Sequence, residues 1–242
     1  MPRDHGGQFT DRPDDLVVGV LGGMGPHATA DFLALLVRLT PADRDWNHLH
    51  VVVENNPRMP SRTRAFLFDE ASPTPYLIAG ARRLEAMGAG LIVVPCNSAS
   101  HFLEPVRAAV GVPVLDPVVA TAEALVAEGR SRRPLVLGGM VTHRAELYGR
   151  ALAPHGVTAL RPDEAAQDEV AGLIEALKQL DTSAAVVARM QALVSAGRAR
   201  GADGVILGCT EFGLIAAALA GELPVYNSNE LLARATVARA RR

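Results

Sequence analysis

Two cysteines each close a run of aliphatic residues, in VVPCNSAS at 93–100 and VILGCTEF at 205–212. A thiol has an unperturbed pKa near ~8.5, which donors at a helix start lower. Cys96 leads into Asn97 and Ser98, and Cys209 into Thr210 and Glu211, so each sulfur enters a turn rich in capping residues. Backbone N–H groups in such turns are expected to favour a thiolate or to hold a substrate carboxylate. Two opposed groups of this kind can invert a carbon centre: one thiolate removes a proton and the facing thiol delivers one to the other side. The scheme needs two bases of similar strength flanking a planar intermediate. A single buried cysteine reads as packing. A pair at equivalent strand ends, each followed by polar residues, favours chemistry.

Such a pair must be held by matching elements. From residue 16 the chain alternates short Val/Ile/Leu runs with longer amphipathic stretches. The runs at 16–21, 50–55, 91–95, 112–116, 134–139, 157–162 and 204–208 read as buried strands, and the stretches at 26–40, 74–90, 169–180 and 183–201 as helices. Continuous apolar strands separated by helices predict an α/β fold with parallel sheet covered on both faces. The chain also matches itself. LGGMGPHA at 21–28 recurs as LGGMVTHR 116 residues later, and GAGLIVVPCNS at 88–98 recurs as GADGVILGCTE 113 residues later. Two matches in one order at similar offsets predict pseudo-symmetric halves, each with one cysteine at the carboxyl end of a strand. Ligands bind at that end in open α/β sheets.

Composition narrows the function classes. With 242 residues, 49% hydrophobic and 21% charged, the chain can bury a large core as one domain or two small ones. Its net charge of −2 comes from scattered residues, which argues against nucleic-acid and membrane-surface partners. Residues 1–15 are polar, without the apolar core of a secretory leader, and are expected to form a disordered tail. No apolar stretch reaches membrane-spanning length. Two cysteines without export signals imply reduced thiols in a cytoplasmic protein.

Other patterns carry less. GVLGGMG resembles a dinucleotide-binding turn but lacks the full G-x-G-x-x-G spacing and an acidic ribose partner, so its glycines are read as allowing close approach to a ligand. His48 and His50 share a strand face without a ligand cluster nearby, so no metal is expected. His27 and His143 occupy matching places in the repeat and read as surface helix starts. The C-terminal ARATVARARR reads as a solvated helix end whose cations complement the helix dipole.

VGVLGGMGPHATADFL, ENNPRMPSRT, PCNSAS and LGCTE, in this order and spacing, resemble the aspartate/glutamate racemase family, in particular its PLP-independent aspartate racemase branch. The resemblance runs from Val17 to Val237. It implies two pseudo-symmetric α/β domains with the active site in the cleft between them, no cofactor, a small amino-acid substrate and a homodimer. It also implies that the first domain is built from residues 16–116 plus about 214–242 and the second from about 117–213. Cys96 and Cys209 would be the two acid/base residues. Met24, Gly25 and Asn55 would line the cleft, and Asn97, Ser98, Thr210 and Glu211 would surround the substrate's α-carboxylate and ammonium. Arg62 and Lys178 would meet a side-chain carboxylate, and Thr142 would stand after the second half's first strand. The implied activity is interconversion of the L- and D-forms of aspartate or a close relative by two bases.

The chain departs from the family pattern in places. PCNSAS replaces the usual PCNTAH, with Ser98 for threonine and a histidine displaced to His101. GGMVTH replaces an Ala-Thr-x-Gly-Thr pattern, PSRT replaces PDRT, and YNSNE replaces an acidic-plus-threonine motif. Two alternatives therefore stand beside racemisation. One is a cis–trans isomerase or decarboxylase of a small dicarboxylate, which needs only one cysteine. The other is a ligand-binding relative without turnover.

Overall fold

The computed structural model describes residues 15–219, 221 and 223–241. Apart from Asp15, the expected tail over 1–15 falls outside the described residues. Two parallel sheets form the framework. The first half contains β1 (Val18–Gly22), α1 (Pro26–Leu39), β2 (Val51–Asn55), α2 (Arg62–Phe68), α3 (Thr74–Ala86), β3 (Leu91–Val93), α4 (Glu104–Arg107) and β4 (Val114–Leu115). After α5 (Pro117–Glu128) come β5 (Pro134–Gly138), α6 (Met140–Arg144), α7 (Leu147–Leu152), α8 (Glu164–Lys178), α9 (Ala184–Ala199), β6 (Gly204–Gly208), β7 (Val225–Asn227) and α10 (Ser228–Ala240).

The sheet orders are β2-β1-β3-β4 and β5-β6-β7. The stretch at 157–162, expected as a strand, makes one parallel bridge, Leu135 to Leu160, held by the Val136 and Leu160 N–H groups. Pro162 follows and lacks an N–H, which limits further pairing. Counting that bridge, the second sheet repeats the order of the first, and β3 and β6 hold equivalent inner places. The repeat seen in the sequence is thus a repeat of β1 with β3 and of β5 with β6, which pair in parallel.

Both sheets are covered on each face, and β1, β5 and β6 are buried along their whole length. One side of the first sheet packs Leu77, Ala81 and Leu84 of α3 against Ile92, and the other packs Phe32 and Leu36 of α1 against Val18 and Val93. In the second sheet, Leu173 and Leu177 of α8 cover Leu135 and Leu207, while Val118, Ala122 and Leu125 of α5 cover Val136 and Ile206.

Two helices change sheets. The chain leaves β4 through Asp116, whose carboxylate caps α5 by accepting from the Val118 and Val119 N–H groups. It leaves β7 through Asn227, which caps α10 in the same way from Asn229 and Glu230. Each helix then packs on the sheet it did not come from. Strand β7 and the turns over 210–219 pack with the second sheet, past the boundary near 214 expected from sequence. Within ARATVARARR the helix runs to Ala240 with exposed Arg234 and Arg239, yet Ala233 and Val237 on its other face, with Leu232 just before, are buried in the first core. Small and aliphatic residues spaced among the arginines make that face.

Candidate active site

Cys96 follows the end of β3 by three residues and Cys209 follows β6 directly, and both line one cavity of about 230 Å³ between the halves. The local geometry repeats. The Ala99 N–H donates to the Cys96 carbonyl oxygen and the Phe212 N–H to that of Cys209, each starting a tight 3₁₀ turn. Cys96 is buried, Cys209 is half-buried, and both are free thiols.

Of the residues expected in the site, Met24, Arg62, Asn97, Ser98, Lys178, Thr210 and Glu211 line the same cavity as the two cysteines. Gly25 stands at its edge, where an added Cβ would meet Glu211 Oε1 at 3.4 Å. Two residues lie elsewhere. Asn55 ends β2 with an exposed side chain. Thr142 lines a neighbouring cavity of about 160 Å³ with His143, Glu146 and Arg161, and its hydroxyl has no hydrogen-bond partner among the described residues. His101, the displaced histidine, is exposed and stacks edge-on against Phe66 and Phe102.

Sequence reasoning missed part of the wall: Ser61 and Thr63 beside Arg62, Gly139 and Met140 opening α6, and Ala171, Ile174 and Glu175 on α8. The α8 residues carried a signal. Ala171, Ile174, Glu175 and Lys178 fall at i, i+3, i+4 and i+7, so placing Lys178 in the cleft places the others there. A further omission lies beneath the cavity. Asn97 Nδ2 donates to Ser228 Oγ (3.0 Å), Ser228 donates to the Leu207 carbonyl (2.7 Å), and the Tyr148 hydroxyl donates to Asn97 Oδ1 (2.6 Å). All three side chains are buried, so the Cys96 turn is tied to α7 directly and to β6 through Ser228 at the start of α10. Burial holds the Tyr148 phenol well above its ordinary range and keeps it a donor.

Electrostatics differ from the expectation of lowered thiol pKa values. Burial pushes Cys96 up, against the pull of the nearby Arg62 guanidinium and the Ala99 N–H. Burial pushes Cys209 up further, reinforced by the charge of Glu211 and by the bond from Sγ to Glu211 Oε2 at 2.9 Å. The 3₁₀ turns present too few aligned N–H groups to outweigh desolvation. Arg62 spends one N–H on the Pro60 carbonyl, and its Nε is buried without a partner among the described residues. A guanidinium with unused donors in a cleft suits a carboxylate. Burial lowers Lys178, but its hydrogen bond to Glu175 at 2.7 Å and the charges of Glu175, Glu211 and Cys209 outweigh that and raise it.

The description Asp/Glu/hydantoin racemase matches residues 21–236. The chain belongs to that family. Its members are racemases, so the protein is an isomerase of that kind. The racemase is 28% identical over 225 residues to the broad specificity amino-acid racemase RacX of Bacillus subtilis (strain 168), covering 91% of this chain and 96% of that protein. Among solved structures, Picrophilus torridus aspartate racemase superposes with a TM-score of 0.81 at 28% identity, covering 94% of this chain and 95% of that one. Glutamate racemase from Francisella tularensis subsp. tularensis SCHU S4 shares the fold, with a TM-score of 0.67 at 14% identity over 93% of this chain and 81% of that one. These neighbours match the two-domain α/β architecture. No group of three or more His, Cys, Asp or Glu residues able to hold a metal occurs among the described residues, and no helix there is long and apolar enough to cross a membrane.

Proposed function

We propose that the protein racemises an acidic amino acid without a cofactor, using Cys96 and Cys209 as the two bases. The observation that carries this reading is the placement of both sulfurs on one small cavity at the ends of equivalent strands, with Arg62 holding unused donors in the same wall. One thiolate takes the α-hydrogen as a proton, leaving a planar carbanion, and the facing thiol gives its proton to the opposite side. The enzyme ends each turnover with thiol and thiolate exchanged, ready for the reverse direction. In this reading Ser98, Thr210 and the turn N–H groups receive the α-carboxylate, and Arg62 with Lys178 a side-chain carboxylate. Arg62 eases formation of the thiolate at Cys96 against the cost of burial, while Glu211 favours the proton-bearing form of Cys209.

Free thiols facing a shared cavity fit a reducing, cytoplasmic setting. The homodimer implied by the family resemblance is checked by sedimentation. The chemistry is tested by incubating aspartate and glutamate in D₂O and following Cα deuteration together with chiral analysis. Both enantiomers and solvent deuterium are expected. Cys96→Ala and Cys209→Ala should each lower racemisation by at least about 10³-fold, since removing one member of a catalytic unit removes its function. Exchange of one enantiomer without inversion is the expected residue of activity. Full racemisation by either variant would end the two-base reading, and deuteration without inversion in the unaltered protein would favour a one-thiol reaction.

A further inference from the structure

Aligning the two halves isolates a glycine that its backbone does not require. In LGGMG and LGGMV, Gly22 corresponds to Gly138, Gly23 to Gly139 and Met24 to Met140. Packing explains three of the four glycines. An added Cβ at Gly22 would lie 2.4 Å from the Thr29 side chain, and one at Gly138 would lie 2.8 Å from the Gly208 carbonyl oxygen. Gly23 has φ +92 and would press a Cβ to 2.3 Å from the Asn56 carbonyl oxygen. Gly139 differs. Its φ of −63° and ψ of 168° are extended backbone that suits any residue. An added Cβ there would meet Ser98 Oγ at 3.7 Å and Ile174 Cδ1 at 3.9 Å, which are ordinary contacts.

The volume that this missing side chain leaves is part of the active-site cavity, since Gly139, Ser98 and Ile174 all line it. Gly139 also precedes α6 without any side-chain cap, where serine, threonine or aspartate would serve the helix better. Met140 flanks the gap, and α8 faces it with Ala171 and Ile174, followed by Glu175 and Lys178. At ~1.5 Å per residue, the Lys178 position stands about 6 Å along the helix from that of Ile174. Along this wall the lining passes from the apolar Met140, Ala171 and Ile174 to the charged Glu175 and Lys178. A side chain with an aliphatic stem and a polar end matches that profile, whereas the single methylene of aspartate leaves the apolar part uncovered.

We propose that Gly139 is a specificity-determining residue, and that the recess beside it takes amino acids whose polar end stands two or more methylenes from Cα. Glutamate and 2-aminoadipate are the acidic members of that class. This inference rests on the two-thiol racemase reading. The test compares kcat/KM for α-hydrogen exchange with aspartate, glutamate and 2-aminoadipate, using the full chain and its Gly139→Ala and Gly139→Val variants. The unaltered protein should favour one of the two longer substrates. Its preference over aspartate should fall at least about tenfold in Gly139→Val and less in Gly139→Ala, because one methylene in an apolar pocket is worth roughly 10- to 200-fold. If Gly139→Val fails to fold, the ratio in Gly139→Ala decides, since the added methyl there makes only ordinary contacts. Equal losses on all three substrates, or a preference of the unaltered protein for aspartate, would overturn the recess while leaving racemisation intact. Absence of exchange with every substrate would overturn the two-thiol reading and this inference with it.

Discussion

The first half presents its cysteine to a cation and the second presents its cysteine to an anion. Arg62 reaches the Cys96 side of the cavity from α2, and Glu211, two residues beyond Cys209, accepts that thiol directly. At the repeat offset of the cysteines, Glu211 corresponds to Ser98, a neutral hydroxyl. Duplication therefore matched the geometry of the two sulfurs without matching their surroundings. An enzyme with unequal bases can still racemise, because L- and D-enantiomers are equal in free energy. The kcat/KM values in the two directions must then be equal. The asymmetry is confined to the separate kcat and KM values and to the reactivity of each thiol.

Removing the cation should have the largest effect on this contrast. Arg62→Met deletes the donors proposed for the substrate carboxylate, and losing one partner of a buried charge pair costs about 2–5 kcal/mol, or roughly 30- to 5,000-fold in kcat/KM. The same change removes the influence that pulls the Cys96 pKa down against burial. Alkylation of Cys96 by iodoacetamide, followed by mass spectrometry of its peptide, should therefore require a higher pH in the variant. An unchanged pH profile would show that Arg62 does not act on the thiol.

Removing the anion should act in the opposite sense and more weakly. Glu211 raises the Cys209 pKa through its charge and its hydrogen bond, so Glu211→Gln should let Cys209 alkylate at lower pH. Glutamine keeps an acceptor near the sulfur, and a charge-assisted hydrogen bond is worth about 1.5–3 kcal/mol, so kcat should fall about tenfold. The sharper expectation concerns direction: kcat should change unequally for the two enantiomers while the two kcat/KM values fall together. Equal changes in both kcat values would mean that Glu211 does not set the difference between the halves.

Much of this contrast was legible in the sequence. The α/β class followed from continuous Val/Ile/Leu runs, and the pairing of Cys96 with Cys209 followed from the internal repeat, because buried strands announce themselves by composition and an inner strand fixes its own end. The sign of the thiol pKa shifts was not legible. Capping residues after each cysteine suggested N–H stabilisation, whereas the turns are 3₁₀ and burial dominates, and burial depends on contacts that a single strand does not encode. β7 was missed because three residues, Val225–Asn227, are too short to show periodicity. Asn55 and Thr142 were placed in the cleft by resemblance, but sheet register and the path of α6 send them elsewhere. Tyr148 gave no signal, and Ser228 only that of the altered YNSNE segment, because their partner, Asn97, is 51 residues from one and 131 from the other.

The smallest expected effect tests whether that buried link keeps the halves in register. Tyr148→Phe removes the donor to Asn97 Oδ1 and leaves a buried acceptor unpaired, which costs about 1–3 kcal/mol. For a chain of this size each kcal/mol moves Tm by about 2–4 °C, so thermal unfolding should begin at least about 2 °C lower. A purely structural loss would leave the turnover of the folded enzyme alone. A loss of register between the sulfurs would lower kcat, here by about threefold, with KM nearly constant, because the Asn97 amide follows Cys96 directly and its other end is held by Ser228. Asn97→Asp sharpens the choice. It keeps an acceptor for Tyr148 but replaces the amide donor to Ser228 with a second oxygen and adds a negative charge next to Cys96, so it should cost more than Tyr148→Phe in kcat and raise the pH at which Cys96 alkylates. Equal kcat in both variants and the unaltered enzyme would show that the link supports the fold and leaves the spacing of the two thiols to the strands alone.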